Sequence, residues 1–571
     1  LVDPHQPAIT FHLLPIEKMG PSEDLYIKMN SRGKPLTPFE NFKALFVQML
    51  EASCPEMAQR FALKADVEWS DFLWDYRGSD SIIDDEFLRY FRFVAEICDW
   101  RSGGLAEGEI EILAERVFGG TGKGAHDNLD FLFLAFDTWV GVDIPACFAG
   151  LLTETPAPLD SGDTSKVVLF GKPGSVEVDL FAACCRSYGQ MRGRNRVFSW
   201  AETLLLYAVI LHRVHKTPDL PRRLRILRNL VEASGNELRQ EKMPALIEDV
   251  RRIVVDGTLD GVNAFNQAQV ADERLKAKFL AKNPSCEPSL FRLEDHPILH
   301  GCLAAFDLDA AVFEARAGAF HRLFADPGCW PSLTAALLAI GDYSRRLNSR
   351  SIQFGSGSNP APWRDLLTGA GRSDLSGTRL VLGRLLDQVA QGASDVKAAL
   401  SSIEKNWLGA TDPGKGLGWR WYFVKYGAMR TGGSGIYVGS DGALGYGVCM
   451  MNRRQMNSWY RDPYLLAIHR LSGVGTAVED PWFTGYETQP RYLRLAKSGT
   501  EIQCVNAGFA MRPPLAAAHL AAFRTVCQAH GVGADNLLPV QQADCDGKRL
   551  DVHDRVEIGA ALVRDLVDAG L

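Results

Sequence analysis

The stretch DDEFLRYFRFVAEIC, residues 84–98, decides the fold class of this chain. Its apolar residues recur at every third or fourth position, so that Phe87, Phe91, Val94 and Cys98 would share one face of a helix. The acidic residues at its start suit the positive end of the helix dipole. The stretch therefore predicts a buried helix within a helical core.

Helical patterns continue on both sides of this stretch. Upstream, Thr37-Pro38-Phe39-Glu40 predicts a capped helix start that runs on to about Ala52: Thr37 is the N-cap, Pro38 occupies the first turn, and Glu40 closes a capping box. Downstream, Asp295-His296-Pro297 predicts another helix start. Apolar periodicity predicts further helices over residues 107–118, 198–233, 236–256, 263–282, 309–326, 331–348, 375–393 and 394–406.

The composition changes after Gly409, where the sequence becomes aromatic, glycine-rich and alternating. This alternation predicts strands at Trp419–Tyr426 and Gly435–Met451, the second folded as a hairpin around Ser440-Asp441-Gly442. Residues 9–18, near the N-terminus, also have a strand pattern. Further strands are expected at Tyr492–Leu495 and Ile502–Val505, and further helices at Tyr464–Leu471, Pro514–Cys527 and Val556–Ala569.

The chain has 571 residues, of which 46% are apolar and 23% charged. This ordinary globular composition excludes a disordered chain, a collagen-like chain and a coiled-coil rod. The net charge of −7 shows no overall basic excess of the kind that favours nucleic acid. The 12 cysteines form no CxxC pair, and no apolar run reaches the ~20 residues needed to span a bilayer. We therefore expect a bacterial, cytoplasmic protein with reduced thiols, no zinc framework and no membrane contact.

Three local patterns resemble known sites, but each fails on a required feature. Gly119–Gly124 (GGTGKG) lacks the Ser or Thr that follows the lysine of a phosphate-binding P-loop. The glycines of residues 439–447 lie between predicted strands, whereas a dinucleotide site needs a helix after them. His296 and His300 are four apart, but Pro297 stands where a zinc protease has its glutamate. We predict a loop, a hairpin and a helix cap at these places, and no metal site.

Basic residues form two groups. The first consists of Arg192, Arg194 and Arg196, at alternate positions of a glycine-bearing loop, where an extended backbone would point all three the same way. The second consists of Arg222, Arg225 and Arg228, three apart, which a helix would bring near one face. Arginine beside aromatic residues suits phosphates and stacked bases. We predict DNA binding through these six residues, with an ordinary solvated surface as the alternative.

The segment Asp24–Ala44, DLYIKMNSRGKPLTPFENFKA, is the most distinctive in the chain. It resembles the closing segment of the GmrSD-type N-terminal domain (domain-of-unknown-function family 262), which has a ParB-like fold. The matching residues are Tyr26, Asn30, Gly33, Leu36 and Phe39. Weaker similarity to long members of the family continues at Trp69–Trp74, Arg225–Val231, Gln267–Lys276, Leu293–Gly301 and Trp419–Tyr426.

The resemblance implies bacterial antiviral defence of the restriction-modification type, with nucleotide binding in the ParB-like domain. The loop that would bind the nucleotide contains Asn30, Arg32, Gly33 and Lys34, because an amide and two cations before a capped helix suit a phosphate; a structural turn is the alternative. The sequence lacks the family's catalytic Asp-Gly-Gln-Gln-Arg stretch and its HNH nuclease. We therefore expect an N-terminally truncated member that is inactive alone, with NTP and Mg²⁺ as cofactors only of the complete protein.

Together these patterns predict a mainly α protein with a ParB-like α+β remnant, a long helical body and a small α+β tail domain. The expected divisions are 1–52 (remnant), 53–154 (helical), 155–179 (exposed insertion), 180–409 (helical body) and 410–571 (tail domain). We expect the chain to bind DNA or a partner subunit of a defence system. Two alternatives stay open: an NTP-dependent DNA endonuclease whose front half precedes this chain, and a helical scaffold without a site of its own.

Overall fold

The computed structural model describes most of the chain after residue 35. The described residues are 36–79, 81–159, 164–171, 176–369, 374–392, 395–439, 445–451, 460–479, 483–485, 490–545 and 547–571. The strand predicted in residues 9–18 and the turn predicted at Ser440-Asp441-Gly442 lie outside them.

The chain forms two compact units, each built from two stretches of sequence. The described residues of the first unit fall within Leu1–Phe148 and Asp179–Thr217, and those of the second fall within Ala149–Val178 and Pro218–Leu571. The helical body expected at 180–409 is therefore divided after Thr217, which the sequence pattern does not indicate.

The first unit is built around the helix Asp84–Arg101. Phe87, Phe91 and Val94 are fully buried along it, which confirms the periodicity of the sequence. Neighbouring aromatic rings pack on this face, and the ring centroids of Phe42 and Phe91 are 4.8 Å apart. The other α-helices of this unit are Pro38–Ser53, Pro55–Asp66, Glu68–Leu73, Ile110–Phe118, Lys123–Asp137, Leu180–Ser187 and Trp200–His215, with Ile144–Leu151 at its boundary.

The capped helix start at Thr37 is confirmed. Thr37 Oγ1 accepts a hydrogen bond from the Glu40 N–H at 3.2 Å, and Glu40 Oε2 accepts one from the Thr37 N–H at 2.8 Å. These two bonds satisfy N–H groups that have no partner inside the helix. The helix that follows runs from Pro38 to Ser53 and buries Phe42 and Phe46.

Within its described residues, the second unit combines helices with two larger antiparallel sheets and two two-stranded pairs. The helix predicted over 331–348 ends at Ile340, and a strand follows it at Arg345–Arg346. The α-helices are Leu220–Ala233, Met243–Arg251, Gln267–Lys282, Glu287–Glu294, Phe313–Ala325, Trp330–Ile340, Pro360–Leu367, Ser376–Gln391, Val396–Ala410, Trp419–Lys425, Pro463–Ser472, Ala517–Ala529 and Arg555–Asp568.

The larger sheet joins residues from both sides of the boundary expected at 409/410. Its six strands are, in spatial order, Thr484–Gly485, Tyr460–Arg461, Cys449–Met451, Ile436–Val438, Ser351–Gln353 and Arg345–Arg346. Because Ser351–Gln353 pairs with Ile436–Val438, that boundary does not separate two domains. The five-stranded sheet has the order Val478–Glu479, Leu493–Leu495, Glu501–Val505, Gly508–Arg512 and Leu537–Pro539, and Gln542–Cys545 pairs with Lys548–Asp551 as a separate ribbon.

Three local predictions are wrong. Trp419–Lys425 is a helix, not a strand, and Trp419, Tyr422, Phe423 and Tyr426 have the spacing of one helical face. The insertion expected to be exposed at 155–179 contains the buried strand Val167–Val168, which pairs in parallel with Leu152–Thr153. Asp295-His296-Pro297 follows the end of the helix Glu287–Glu294 and does not begin one. The first error misjudged a helical period as strand alternation, and at Val167–Val168 pairing with a distant strand overrides the local pattern.

Among the described helices, none is by itself both long and apolar enough to cross a bilayer. One consecutive pair, Phe313–Ala325 with Pro327–Ile340, meets the criterion only when taken together, and the two helices are bent by 92°. Phe320 and Leu333, one from each helix, are fully buried in the core of the second unit.

Candidate nucleic-acid interface

The first arginine group forms a short β-hairpin in the first unit, Gln190–Val197, here named the arginine hairpin. Met191–Arg192 pairs antiparallel with Asn195–Arg196, and the Val197 N–H donates to Gln190 O at 2.9 Å. Gly193 opens the two-residue turn with a φ of +64°. A positive φ at this position is typical of a type II′ hairpin turn, which glycine adopts without steric cost.

Arg196 anchors the base of the arginine hairpin. Its guanidinium lies 4.1 Å from the ring centroid of Trp200 and 4.9 Å from that of Tyr188. Its Nη2 is 3.5 Å from Oε2 of Glu96, whose side chain is 4% exposed. The Glu96 carboxylate also accepts hydrogen bonds from Tyr188 Oη and Arg92 Nε, and burial raises the pKa of Tyr188, which keeps its hydroxyl a donor. Ring stacking and ion pairing therefore fix the base of the hairpin.

Arg192 and Arg194 lie at the exposed end of the hairpin. Both are exposed, and within the described residues neither guanidinium has a carboxylate partner. The expectation that Arg192, Arg194 and Arg196 point the same way is wrong, because the turn reverses the chain between them and Arg196 folds back over two rings. Two arginines of this group remain available to a ligand.

The second arginine group lies on the helix Leu220–Ala233, where Arg225 and Arg228 are 2% and 1% exposed. Both guanidiniums donate to Oδ1 of Asp295, and both also bind backbone carbonyls within residues 164–168. Arg222 is partly exposed and lies 3.7 Å from Glu287. DNA binding through Arg225 and Arg228 is contradicted by their position, because this helix face is packed into the core and their charges are already paired.

A buried ionic network lies beside these two arginines. Lys276 Nζ donates to Glu294 Oε1 at 2.6 Å and to Gly301 O at 2.7 Å, and it also contacts Glu273. Asn229 Nδ2 donates to Oε1 of Glu273 at 3.0 Å and to Oε1 of Glu294 at 2.9 Å. Burial raises the pKa of Glu273 to about 7, although the nearby Lys276 opposes this shift.

The network brings together three segments for which weaker family similarity is predicted: Arg225–Val231, Gln267–Lys276 and Leu293–Gly301. At Gly301, with a φ of +81°, an added Cβ would lie 2.1 Å from Asn229 Oδ1, so only glycine fits there. Packing and charge pairing account for the residue types in these segments without a ligand.

The remaining sequence candidates do not form a described site. Asn30, Arg32, Gly33 and Lys34 lie outside the described residues, and nucleotide binding there stays a prediction. His296 packs on Phe320, and His300 Nδ1 lies 2.9 Å from Glu232 Oε2. Where the structure describes the chain, no group of three His, Cys, Asp or Glu side chains could hold a metal ion.

Sequence reasoning did not identify Glu96, which positions the arginine hairpin from a helix about a hundred positions earlier in the chain. The available signal was a glutamate inside the apolar run from Phe93 to Cys98, because a carboxylate on a buried helix face needs partners. Comparison with known family models, curated proteins and solved structures finds no match for this chain.

Proposed function

We propose that this chain is the DNA-binding part of a bacterial defence protein and that it contacts the phosphate backbone through the arginine hairpin. One observation carries the proposal: Arg192 and Arg194 are exposed and lack a carboxylate partner among the described residues, on a hairpin whose base is fixed by Arg196. In a chain of net charge −7, such a cationic projection differs in sign from the average surface.

The shape of the hairpin suits duplex DNA. A two-stranded ribbon fits a DNA groove, and a guanidinium donates two parallel hydrogen bonds to a phosphate. Because Arg196 stacks on Trp200 and Tyr188, the ribbon is held before binding, and less conformational entropy is lost on association. Contacts with phosphates do not distinguish one base from another, so the affinity for DNA is expected to be independent of base sequence.

The resemblance of Asp24–Ala44 supports the assignment to bacterial defence. In this proposal Pro38–Ser53 closes a ParB-like α+β domain, whose loop at Asn30–Lys34 binds the nucleotide. A partner subunit would supply the nuclease. The residues after 409 form the α+β end of the second unit and share the larger sheet with strands before that position. The 12 cysteines are free thiols, most of them buried, which supports a place in the reducing cytoplasm.

The salt dependence of DNA binding tests the proposal. The affinity of the full chain for a 20-base-pair duplex is measured between 50 and 200 mM salt, in steps, for the wild type and for Arg192→Gln/Arg194→Gln. Each lost phosphate contact flattens the slope of log K against log salt by about 0.9, so the double variant should flatten it by up to about 1.8.

Arg239→Gln/Arg524→Gln is the matched control, since it removes the same charge from exposed positions of the second unit. It should leave the slope unchanged. Equal slopes for the wild type and Arg192→Gln/Arg194→Gln, with both proteins folded by circular dichroism, would rule out the arginine hairpin as the DNA contact.

A further inference from the structure

A cavity of about 860 Å³ lies within the second unit. Its wall is formed by the edge strand Arg345–Arg346 and its neighbour Ser351–Gln353, by the start of the helix at Trp419, by the turn at Asn506, and by the strand Lys548–Asp551 of the ribbon. This volume lies within the ~300–1,000 Å³ of pockets that enclose small-molecule ligands.

The residues lining the cavity combine aromatic surface with an excess of positive charge. Trp419 and Tyr446 present rings, and Ile352 and Leu550 present apolar side chains. The charged residues in the lining are Arg346, Lys548, Arg549 and a single carboxylate, Asp342. Three cations against one anion give a net charge of +2, in a chain whose overall charge is −7. The cavity therefore favours an anion.

Two of these cations lie on the exposed ribbon that is formed by Gln542–Cys545 and Lys548–Asp551. Lys548 and Arg549 are exposed, and no described carboxylate forms an ion pair with either. Asp544 stands opposite Arg549 in the ribbon, but its Oδ1 accepts the Gly547 N–H at 3.0 Å. Arg346, which also lines the cavity, donates through Nη1 to the Ser349 carbonyl at 3.3 Å.

Tyr446 and Gln542, which line the cavity, are both fixed by hydrogen bonds to buried Asp551. Tyr446 Oη accepts the Asp551 N–H at 2.8 Å, and the Arg555 guanidinium lies 3.6 Å from the Tyr446 ring centroid. Gln542 Nε2 donates to Asp551 Oδ1 at 3.0 Å and to Asn506 O at 2.8 Å. Asp551 and Arg555 are completely buried and bonded to each other. A site with so many fixed supports is already organised before a ligand enters.

We infer that this cavity binds an anionic ligand that carries one aromatic ring system, of the mononucleotide class. A nucleobase stacks on the half-buried ring of Trp419, and the phosphate pairs with Lys548 and Arg549. An uncharged aromatic compound would leave Lys548 and Arg549 without a charged partner, and an inorganic anion would leave most of the volume empty. This site is in the second unit, and so it does not depend on the arginine hairpin of the first.

Two other cavities are less suited to this chemistry. A cavity of about 790 Å³ near Trp407 has Arg384 as its one charged lining residue. A cavity of about 260 Å³ beside His300 has Arg345 and Arg364 balanced by Glu232 and Asp365. The first cavity offers a single cation and the second has no net charge, whereas the cavity near Trp419 has a net charge of +2.

Calorimetric titration of the full chain with AMP, GMP, CMP and UMP tests the inference, with adenosine and inorganic phosphate as partial ligands. The variant Lys548→Gln/Arg549→Gln removes two cations from an exposed ribbon, where the fold should not depend on them. Lys282→Gln/Arg239→Gln removes the same charge from exposed positions that do not line the cavity. Trp419→Leu removes the stacking surface.

We expect at least one monophosphate to bind more tightly than both adenosine and inorganic phosphate. Lys548→Gln/Arg549→Gln should lower the affinity for that monophosphate at least about tenfold, because the loss of one charge-assisted contact alone lowers affinity by about this factor. The control variant should bind with the affinity of the wild type. Because Trp419 also packs on Phe423, the affinity of Trp419→Leu is interpreted only if this variant stays folded. The affinity of Lys548→Gln/Arg549→Gln tests the inference whether or not Trp419→Leu folds. No binding by any monophosphate, or equal affinity in the wild type and Lys548→Gln/Arg549→Gln, would overturn the inference.

Discussion

Lys276 Nζ lies 2.6 Å from Glu294 Oε1, and both side chains are only 3% exposed. The surrounding network holds three cations and four carboxylates: Arg225, Arg228, Lys276, Asp272, Glu273, Glu294 and Asp295. One carboxylate is in excess if all are ionised. Burial, together with the neighbouring carboxylates of Glu294 and Asp272, raises the pKa of Glu273 to about 7. The network joins three separate segments of the second unit, residues 225–228, 272–276 and 294–295.

Removing the cation of this pair should destabilise the second unit strongly. In Lys276→Met the carboxylates of Glu273 and Glu294 lose their shared partner inside the core, which costs about 3–5 kcal/mol. Lys282→Met, on the same helix but exposed, should change stability by less than about 0.5 kcal/mol. Urea unfolding followed by tryptophan fluorescence measures both. Closely matching midpoints for the two variants would contradict a structural role for Lys276.

Glu273 should make stability fall as the pH rises. Its pKa is about 7 in the folded protein and near the ordinary 4.5 when unfolded, so between these values the folded state binds more protons. The contribution of this proton to the free energy of unfolding is fully present below pH 4.5, and it is lost as the pH rises to about 7. The stability of the wild type relative to Glu273→Gln should therefore decrease over that range. Glu241→Gln, at an exposed site, should show no such trend; a flat or rising difference for Glu273→Gln would refute the assignment.

His296 should act in the opposite direction. Burial lowers its pKa to about 3, from the ordinary 6.5, so between these values the unfolded state binds more protons. Stability is then complete above pH 6.5 and falls as the pH drops towards 3. Asparagine can still accept the Ile298 N–H that His296 Nδ1 accepts at 3.1 Å, and His296→Asn should lessen the acid sensitivity. His553→Asn, at an exposed site, is the control and should unfold at the same acid pH as the wild type. Identical acid midpoints for all three proteins would show that His296 does not contribute to acid unfolding.

The turn of the arginine hairpin should depend on Gly193. In Gly193→Ala the φ of +64° would strain the backbone by about 1 kcal/mol. The hairpin would then open more often, and hydrogen exchange of the Val197 amide, which is bonded to Gln190 O, should be about fivefold faster. Hydrogen exchange with mass spectrometry of peptides covering 190–197 measures this. Gly150→Ala, in a helix with open space around it, should not accelerate exchange in that peptide. An unchanged rate in Gly193→Ala would show that the turn is not under this constraint.

Local rules were sufficient where the residues that decide a structure are neighbours in sequence. The capping box at Thr37 and Glu40 needs only a spacing of three, and the helix Asp84–Arg101 needs only its apolar period. The strands Leu493–Leu495 and Glu501–Val505 were also predictable, because alternating residues on one face are enough to indicate them. The sequence by itself thus determined the mainly helical class and most of the individual elements.

Only the tertiary structure decided which charges are inside and which are outside. Arg194 and Arg228 look equally basic in the sequence, yet one is exposed at a turn and the other is paired with Asp295, 67 positions away. Likewise Val167–Val168 lies in a polar stretch but is buried because Leu152–Thr153 pairs with it. Burial, ion pairing and the walls of the cavity near Trp419 arise from contacts between distant segments, and a local pattern of residues does not contain those contacts.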